Sequence, residues 1–111
     1  MEYLDGEVRY RLHGWTLLVW DGILLQVRTT PYFATITTQS RFTTMLLPWK
    51  PFRGYSASKK YWRGELSVAC YSPENPSVPY DVRTYLFGGD VKFTFNAYGE
   101  LIFHEGVVHV I

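Results

Sequence analysis

Cysteine is almost absent from this chain of 111 residues, with Cys70 as the single example. One cysteine cannot form an internal disulfide, which excludes a small secreted scaffold held together by disulfides. The length suits a single domain over residues 1–111, and folding of such a domain buries roughly 65% of the surface that the unfolded chain exposes. We therefore expect a core stabilised by apolar packing, with Cys70 as a buried thiol on a strand.

Long apolar runs are missing as well, and none approaches the roughly 20 residues that cross a membrane as a helix. Met1 is followed by Glu2, Asp5 and Glu7, whereas a signal peptide begins with a basic segment and continues with an apolar one. These absences predict a protein without a membrane partner. They also predict a cytoplasmic location, or a place in a virion, without export through a signal peptide.

Acidic residues are missing from residues 22–64, a stretch of 43 residues that contains seven Lys or Arg. The rest of the chain is acidic, since residues 1–21 have a net charge of −2 and residues 65–111 one of −4, against +1 for the whole chain. This segregation is unusual in a nearly neutral chain and favours a binding or assembly role. Contacts between the basic middle segment of one copy and the acidic end segments of another would give head-to-tail or ring assemblies.

Catalytic and metal-binding patterns are also lacking. His13, His104 and His109 have no metal-ligand spacing, and a zinc site would need three or four converging ligands. A Cys–His pair of Cys70 with His13 or His104 stays open, because such partners meet in space rather than in sequence. Glycoside chemistry needs a pair of carboxylates, and candidates for such a pair are Glu65, Asp81, Glu100 and Glu105. Because any chain with ten acidic residues offers such pairs, they indicate little about function. The sequence thus predicts a protein that is not an enzyme and has no metal site and no cofactor.

What the chain does contain is an alternation of apolar and polar residues with period two, which is typical of strands. Asp21-Gly22 separates the apolar segments 15–20 and 23–28 and predicts a hairpin with a two-residue turn. Turn signals recur every 8–12 residues along the rest of the chain. The predicted fold class is therefore all-β: a single-domain antiparallel β-sandwich or small β-barrel built of successive hairpins, with at most one short helical turn near residues 56–63.

The register of the first hairpin would place Trp20 opposite Ile23 and Trp15 opposite Arg28. One face then belongs to the core. The other face is also largely apolar, which predicts that a second layer or a partner covers it. Trp15 and Arg28 would form a cation–π pair at the end of that face.

Further turns are predicted from glycine and polar residues. Gly99 is placed for the left-handed residue of a bulged turn that leads into residues 100–104. The last strand, residues 107–111, is apolar, and unless it is paired inside the sheet it is an edge for assembly. Two more hairpins are predicted, one of residues 33–38 and 41–47 around Gln39-Ser40, the other of residues 81–87 and 91–96 around Gly88-Gly89-Asp90.

The densest group of candidate binding residues lies in residues 49–63, interpreted as a long loop with five cations, five rings and no acid. Cations that follow phosphates and rings that stack on bases are typical of single-stranded nucleic-acid binding. Trp, Tyr and Arg are equally typical of protein interfaces, and rings also complete cores or stack on sugars. Together with Trp15 and Arg28, the candidate binding residues are Trp49, Lys50, Phe52, Arg53, Tyr55, Lys59, Lys60, Tyr61, Trp62 and Arg63.

The sequence favours a non-enzymatic binding or assembly protein that acts through protein–protein contacts, by self-association or with a protein partner. A small inhibitor or accessory protein, or a subunit of a phage or viral particle, would fit this description. The alternative is a single-stranded nucleic-acid-binding module that uses residues 49–63. Binding to a phosphate backbone would weaken as salt is raised, and this property separates the two functions.

Overall fold

In the computed structural model, the described residues are 2–4, 7–12, 15–29, 43–58 and 63–111. They form antiparallel β-structure with one helical turn at residues 43–46, and the predicted all-β class is confirmed. The strands are β1 Glu2–Leu4, β2 Glu7–Leu12, β3 Trp15–Trp20, β4 Leu24–Thr29, β5 Phe52–Ser58, β6 Arg63–Cys70, β7 Asp81–Asn96 and β8 Leu101–Val110.

The long strand β7 organises the sheet, whose order is β1-β2-β3-β4-β7-β6-β5, with β8 on the other side of β7. Residues 81–88 of β7 pair with β6, and residues 91–96 pair with β4. We call β5, β6 and residues 81–88 the short sheet, and β1 to β4 with residues 91–96 the long sheet. Strand β8 pairs with both halves of β7 and therefore extends both sheets.

Strand β7 is bent back on itself, so that the two sheets face each other. The rings of Tyr85 and Phe95 have centroids 5.9 Å apart, although a straight strand would separate residues ten positions apart by about 33 Å. The bend falls at Gly88-Gly89-Asp90, where the register with β8 shifts. The hairpin predicted around these residues is therefore wrong. The two halves of β7 pair with β6 and β4 instead of with each other.

The core lies inside the bend and is rich in aromatic rings. Phe93 stacks on Phe95 at 5.7 Å and meets the edge of Phe87 at 5.8 Å. Side chains from both sheets join one buried cluster, which indicates one core for the described residues. Its members are Leu17, Leu18, Leu25, Val27, Leu46, Phe52, Leu66, Val68, Tyr85, Phe87, Val91, Phe93 and Phe95.

The first hairpin is present, but its predicted register is wrong by two residues, because Trp20 pairs with Leu25 and not with Ile23. The Asp21 carboxylate accepts the N–H groups of Ile23 and Leu24 at 2.8 and 2.7 Å, which widens the turn beyond Asp21-Gly22. These hydrogen bonds hold the pKa of the Asp21 carboxyl below its usual value. A shift of two keeps every side chain on its predicted face, so Leu25 is buried as expected.

The second face of this hairpin is less apolar than predicted. Tyr10 pairs with Leu18 and Arg11 pairs with Thr16, which leaves Leu17 without a partner in β2 at a β-bulge. Leu17 and Leu18 are consecutive, yet both are buried in the core. The bulge thus removes a large apolar side chain from the outer face.

The predicted hairpin of residues 33–38 and 41–47 is wrong in its second part, because residues 43–46 form a helical turn. The Leu47 N–H donates to the Thr43 carbonyl at 2.9 Å, and the turn buries Leu46. Pro48 follows and favours an end of the helix. Residues 33–38 and Gln39-Ser40 lie outside the described residues.

The sequence allowed at most one short helical turn near residues 56–63, and the described residues of this range are strand, since Ser56 pairs with Glu65 and Ser58 with Arg63 in the β5–β6 ladder. Cross-strand pairing provides partners for backbone groups that a helix would have paired locally. Residues 59–62, which connect the two strands, lie outside the described residues.

The turn around Gly99 is confirmed. Gly99 has φ +84°, and the Asn96 N–H donates to the Glu100 carbonyl at 3.0 Å. The final strand predicted at residues 107–111 is the second half of β8, which continues through Gly106.

Candidate functional site

The group predicted at residues 49–63 is mostly strand rather than a long loop. Phe52 to Ser58 form β5, and Arg63 begins β6. Lys59, Lys60, Tyr61 and Trp62 lie outside the described residues.

The three described rings of this group pack against the protein. Trp49 contacts Phe95 with ring centroids 5.4 Å apart, and Phe52 is 8% exposed. Tyr55 stacks on Phe87 at 6.3 Å, and burial raises the pKa of the Tyr55 hydroxyl. These rings complete the core, and their packed faces cannot also stack on bases.

The two described cations of β5 and the preceding turn meet at Tyr71. The Lys50 ammonium lies 4.5 Å from the centre of the Tyr71 ring and donates to the Pro76 carbonyl. The Arg53 guanidinium donates to the Tyr71 hydroxyl at 2.5 Å and to the carbonyl of Lys50 at 2.8 Å. Both side chains are exposed at the surface, so the cluster is a fixed positive patch.

The remaining predicted residues lie elsewhere. Arg28 is on the outer face of the long sheet, where it pairs with Lys92, and Lys92 pairs with Glu105 of β8. The observed register separates Trp15 from Arg28, because Val27 already pairs with Leu18. The side chain of Trp15 lies outside the described set. The structure therefore divides the predicted site among separate places.

The second surface is the edge of the sheet formed by β8. This strand pairs only with β7 among the described strands, and eight of its ten residues are exposed. Large apolar side chains on it and just after it are 58–75% exposed: Ile102, Phe103, Val107, Val110 and Ile111. The sequence indicated the apolar end of this strand, but not that Ile102 and Phe103 extend the same edge.

Two hydrogen bonds show which residues of β8 direct their backbone N–H and C=O groups away from β7. The Ile111 N–H donates to the Thr84 carbonyl, and the Asn96 N–H donates to the Glu100 carbonyl. Successive residues of a strand alternate between its two edges, so Lys92 of β7 faces β8 as Asn96 does, and its partner Glu105 faces β7. His104, Val108 and Val110 therefore direct their N–H and C=O groups to the outer edge.

Titratable groups outside this edge gather around Cys70, where Tyr80 donates to Glu100 at 3.1 Å and Arg83 donates to Asp81 at 3.0 Å. Cys70 is buried, as predicted for a core thiol, and burial raises its pKa. His104 and His109 are exposed on β8, and His13 lies outside the described residues. Among the described side chains, no three of His, Cys, Asp and Glu lie close enough to hold a metal ion.

An apolar cavity of about 370 Å³ lies beside the long sheet and the turn at residues 45–51. Its wall includes Tyr10, Trp20 and Trp49. The Trp49 Nε1 is buried and has no acceptor among the described residues. The cavity could take a small apolar group.

No family model, curated protein or solved structure matches this chain. None of the described helical residues form a segment long and apolar enough to span a membrane.

Proposed function

We propose that this protein is a non-enzymatic binding or assembly protein, and that the β8 edge is the surface through which it contacts another protein. The observation that supports the proposal is the exposed apolar edge, where His104, Val108 and Val110 direct their backbone groups away from β7 and meet no other described strand. An added strand would pair with these groups and cover the apolar side chains at the same time.

The edge has only part of the protection that free strands usually carry. Strand β8 has ten residues and neither lysine nor proline, and the protective features present are the charge of Glu105 and two register shifts. Leaving it in water exposes five large apolar side chains, each worth roughly 1.5–3 kcal/mol when it is fully buried. These features favour an edge that is covered by a partner.

Single-stranded nucleic-acid binding is supported less well. Lys50 and Arg53 offer two fixed cations, but Trp49, Phe52 and Tyr55 are used for packing. A platform for stacked bases needs exposed ring faces. A Lys50→Ala/Arg53→Ala variant would lower the salt dependence of oligonucleotide binding if this surface contacts phosphates.

Photo-crosslinking tests the proposal in the cells that produce the protein. A benzophenone amino acid replaces Phe103 on β8 in one variant and Val78, an exposed residue outside the strands, in a matched control. We expect a discrete protein adduct from position 103 that position 78 does not give. Equal adducts at the two positions, or none at position 103, would contradict the proposal.

A further inference from the structure

Strand β8 is bent, and the bend lies at its middle. Gly106 has φ +105°, and the register with β7 shifts between Gly88 and Lys92, directly across from it. A side chain at position 106 would lie 2.6 Å from the Asp90 carbonyl oxygen, so only glycine fits here. Five residues of the edge precede Gly106 and five follow it, if the edge is counted from Leu101 to Ile111.

This bend restricts what can pair along the whole edge. A straight strand could pair with one half of β8. Beyond the bend at Gly106 it would diverge from the other half, so no further backbone hydrogen bonds could form. A partner strand that covers both halves needs a bend of its own at the matching position. A second copy of this chain carries that bend.

We propose that β8 pairs with β8 of a second copy, antiparallel, across a two-fold axis that passes midway between the Gly106 residues of the two copies. This proposal rests on the proposed function, because it identifies the partner of the same edge. The axis places the two bends at one position, so both strands change direction together. The short sheet of each copy then continues into the long sheet of the other.

The register that this axis imposes uses the free backbone groups. His104 lies opposite Val108 of the second copy, and Val108 lies opposite His104. Because His104 and Val108 direct their backbone groups outward, the two copies meet with donors and acceptors available on both sides. A shift by one residue would bring inward-directed groups to the interface and lose the pairing.

Side chains across the interface are compatible in this register. Ile102 lies next to Val110 of the second copy, and Phe103 next to His109. Each Glu105 lies across from Val107 and diagonally from both His109 and Glu105 of the second copy. Ile102 and Val110 therefore form the apolar contact of this register, and His109 lies between Phe103 and Glu105.

The area available indicates a reversible dimer. A stable interface takes roughly 800 Å² from each partner, about an eighth of the 6556 Å² surface of this chain. An interface limited to one strand and its flanking side chains is at the low end of the range. We expect a dissociation constant on the order of micromolar.

Disulfide trapping tests the register in the full chain. Phe103→Cys and His109→Cys are made as separate variants, and the buried Cys70 leaves each with one exposed thiol among the described residues. Directly opposed residues of this type lie about 4.5 Å apart between Cα atoms, within the range of a disulfide. We expect a disulfide-linked dimer when the two variants are mixed under oxidation, and none from either variant alone, because equivalent positions in the two copies lie about 20 Å apart.

Sedimentation of the unmodified protein provides the second measurement, with Val108→Pro as the matched variant. Proline at position 108 removes an outward N–H that β7 does not use, so the strand keeps its fold but loses a bond at the edge. We expect a monomer–dimer equilibrium for the natural chain and at least a tenfold weaker one for the variant, with unchanged circular dichroism.

The possible results separate the two proposals. A chain that stays monomeric at millimolar concentration, while position 103 still gives adducts with a different protein, overturns the second copy as partner and leaves the proposed function standing. A dimer whose mixed variants form no disulfide overturns the register. A monomeric chain without adducts at position 103 overturns both proposals.

Discussion

At the scale of single residues, Tyr85 shows how an aromatic side chain can be buried with its polar atom unsatisfied. The ring packs against both Phe93 and Phe95 in the core. The hydroxyl is buried and has no hydrogen-bond partner of normal geometry among the described residues. Burial raises the pKa of this hydroxyl, and the nearby Arg83 guanidinium offsets part of the rise. Tyr71 differs, because its hydroxyl accepts a hydrogen bond from Arg53.

This contrast predicts opposite effects of the same substitution. Tyr85→Phe removes an unsatisfied hydroxyl, so we expect the free energy of unfolding to stay unchanged or to rise by up to about 1 kcal/mol. Tyr71→Phe, the matched control, removes a made hydrogen bond and should lower it by about 0.5–1.5 kcal/mol. Urea denaturation measures both. A loss of more than about 1 kcal/mol in Tyr85→Phe would mean that the hydroxyl has a partner.

At the scale of elements, turns followed from the sequence where local chemistry decides them. The hairpin at Asp21-Gly22 and the turn at Gly99 were predicted because glycine at these positions meets a local backbone need. The bend of β7 was not predictable, because Gly88-Gly89-Asp90 suits a hairpin and a bend equally well. The choice depends on which strands pair with the two halves, and β6 and β4 are remote in sequence.

The candidate site was predictable only in part, for a related reason. The apolar segment 107–111 indicated an assembly edge, and residues 107–110 belong to a strand that pairs only with β7 among the described strands. Trp49 and Phe52 were offered as binding rings but belong to the core, since the ring types that bind partners also fill interiors. Composition could not distinguish partner binding from core packing for these rings. The difference depends on whether β7 places a ring such as Phe95 against them.

Gly22 and Gly99 both have a left-handed backbone conformation. Comparing alanine at the two positions separates the cost of that conformation from the cost of a steric clash with the added Cβ. Gly22 has φ +92° with nothing within 4 Å of an added Cβ, so Gly22→Ala should cost about 1–2 kcal/mol from conformation alone. An added Cβ at Gly99 would lie 2.0 Å from the Ala69 carbonyl oxygen. Gly99→Ala should therefore destabilise by at least about 3 kcal/mol, and thermal unfolding compares the two. Equal losses would show that Ala69 moves away at little cost.

At the scale of the whole molecule, the two sheets depend on one strand. β6 and β4 both pair with β7, and their inner side chains share one core. Neither sheet can be lost without exposing apolar side chains of the other. The described structure should therefore unfold as one cooperative unit.

Substitutions in the two sheets test this dependence. Val68→Ala lies in the short sheet and Val27→Ala in the long sheet, and both side chains are buried. Each should lower the free energy of unfolding by about 2 kcal/mol and shift a single transition. Tryptophan fluorescence and far-ultraviolet circular dichroism should report the same midpoint in each variant. Separate midpoints in Val68→Ala would show that the short sheet unfolds independently.

The position of β7 late in the chain also affects how the protein can fold during synthesis. β1 to β6 leave the ribosome before residues 81–96, yet β4 and β6 have their shared partner only in that segment. The early hairpins can form locally. Until β7 is present, however, they have no shared partner strand and no common core in which to bury their apolar faces. The nascent chain must therefore keep these faces from aggregating until β7 emerges, which favours folding with the help of a chaperone.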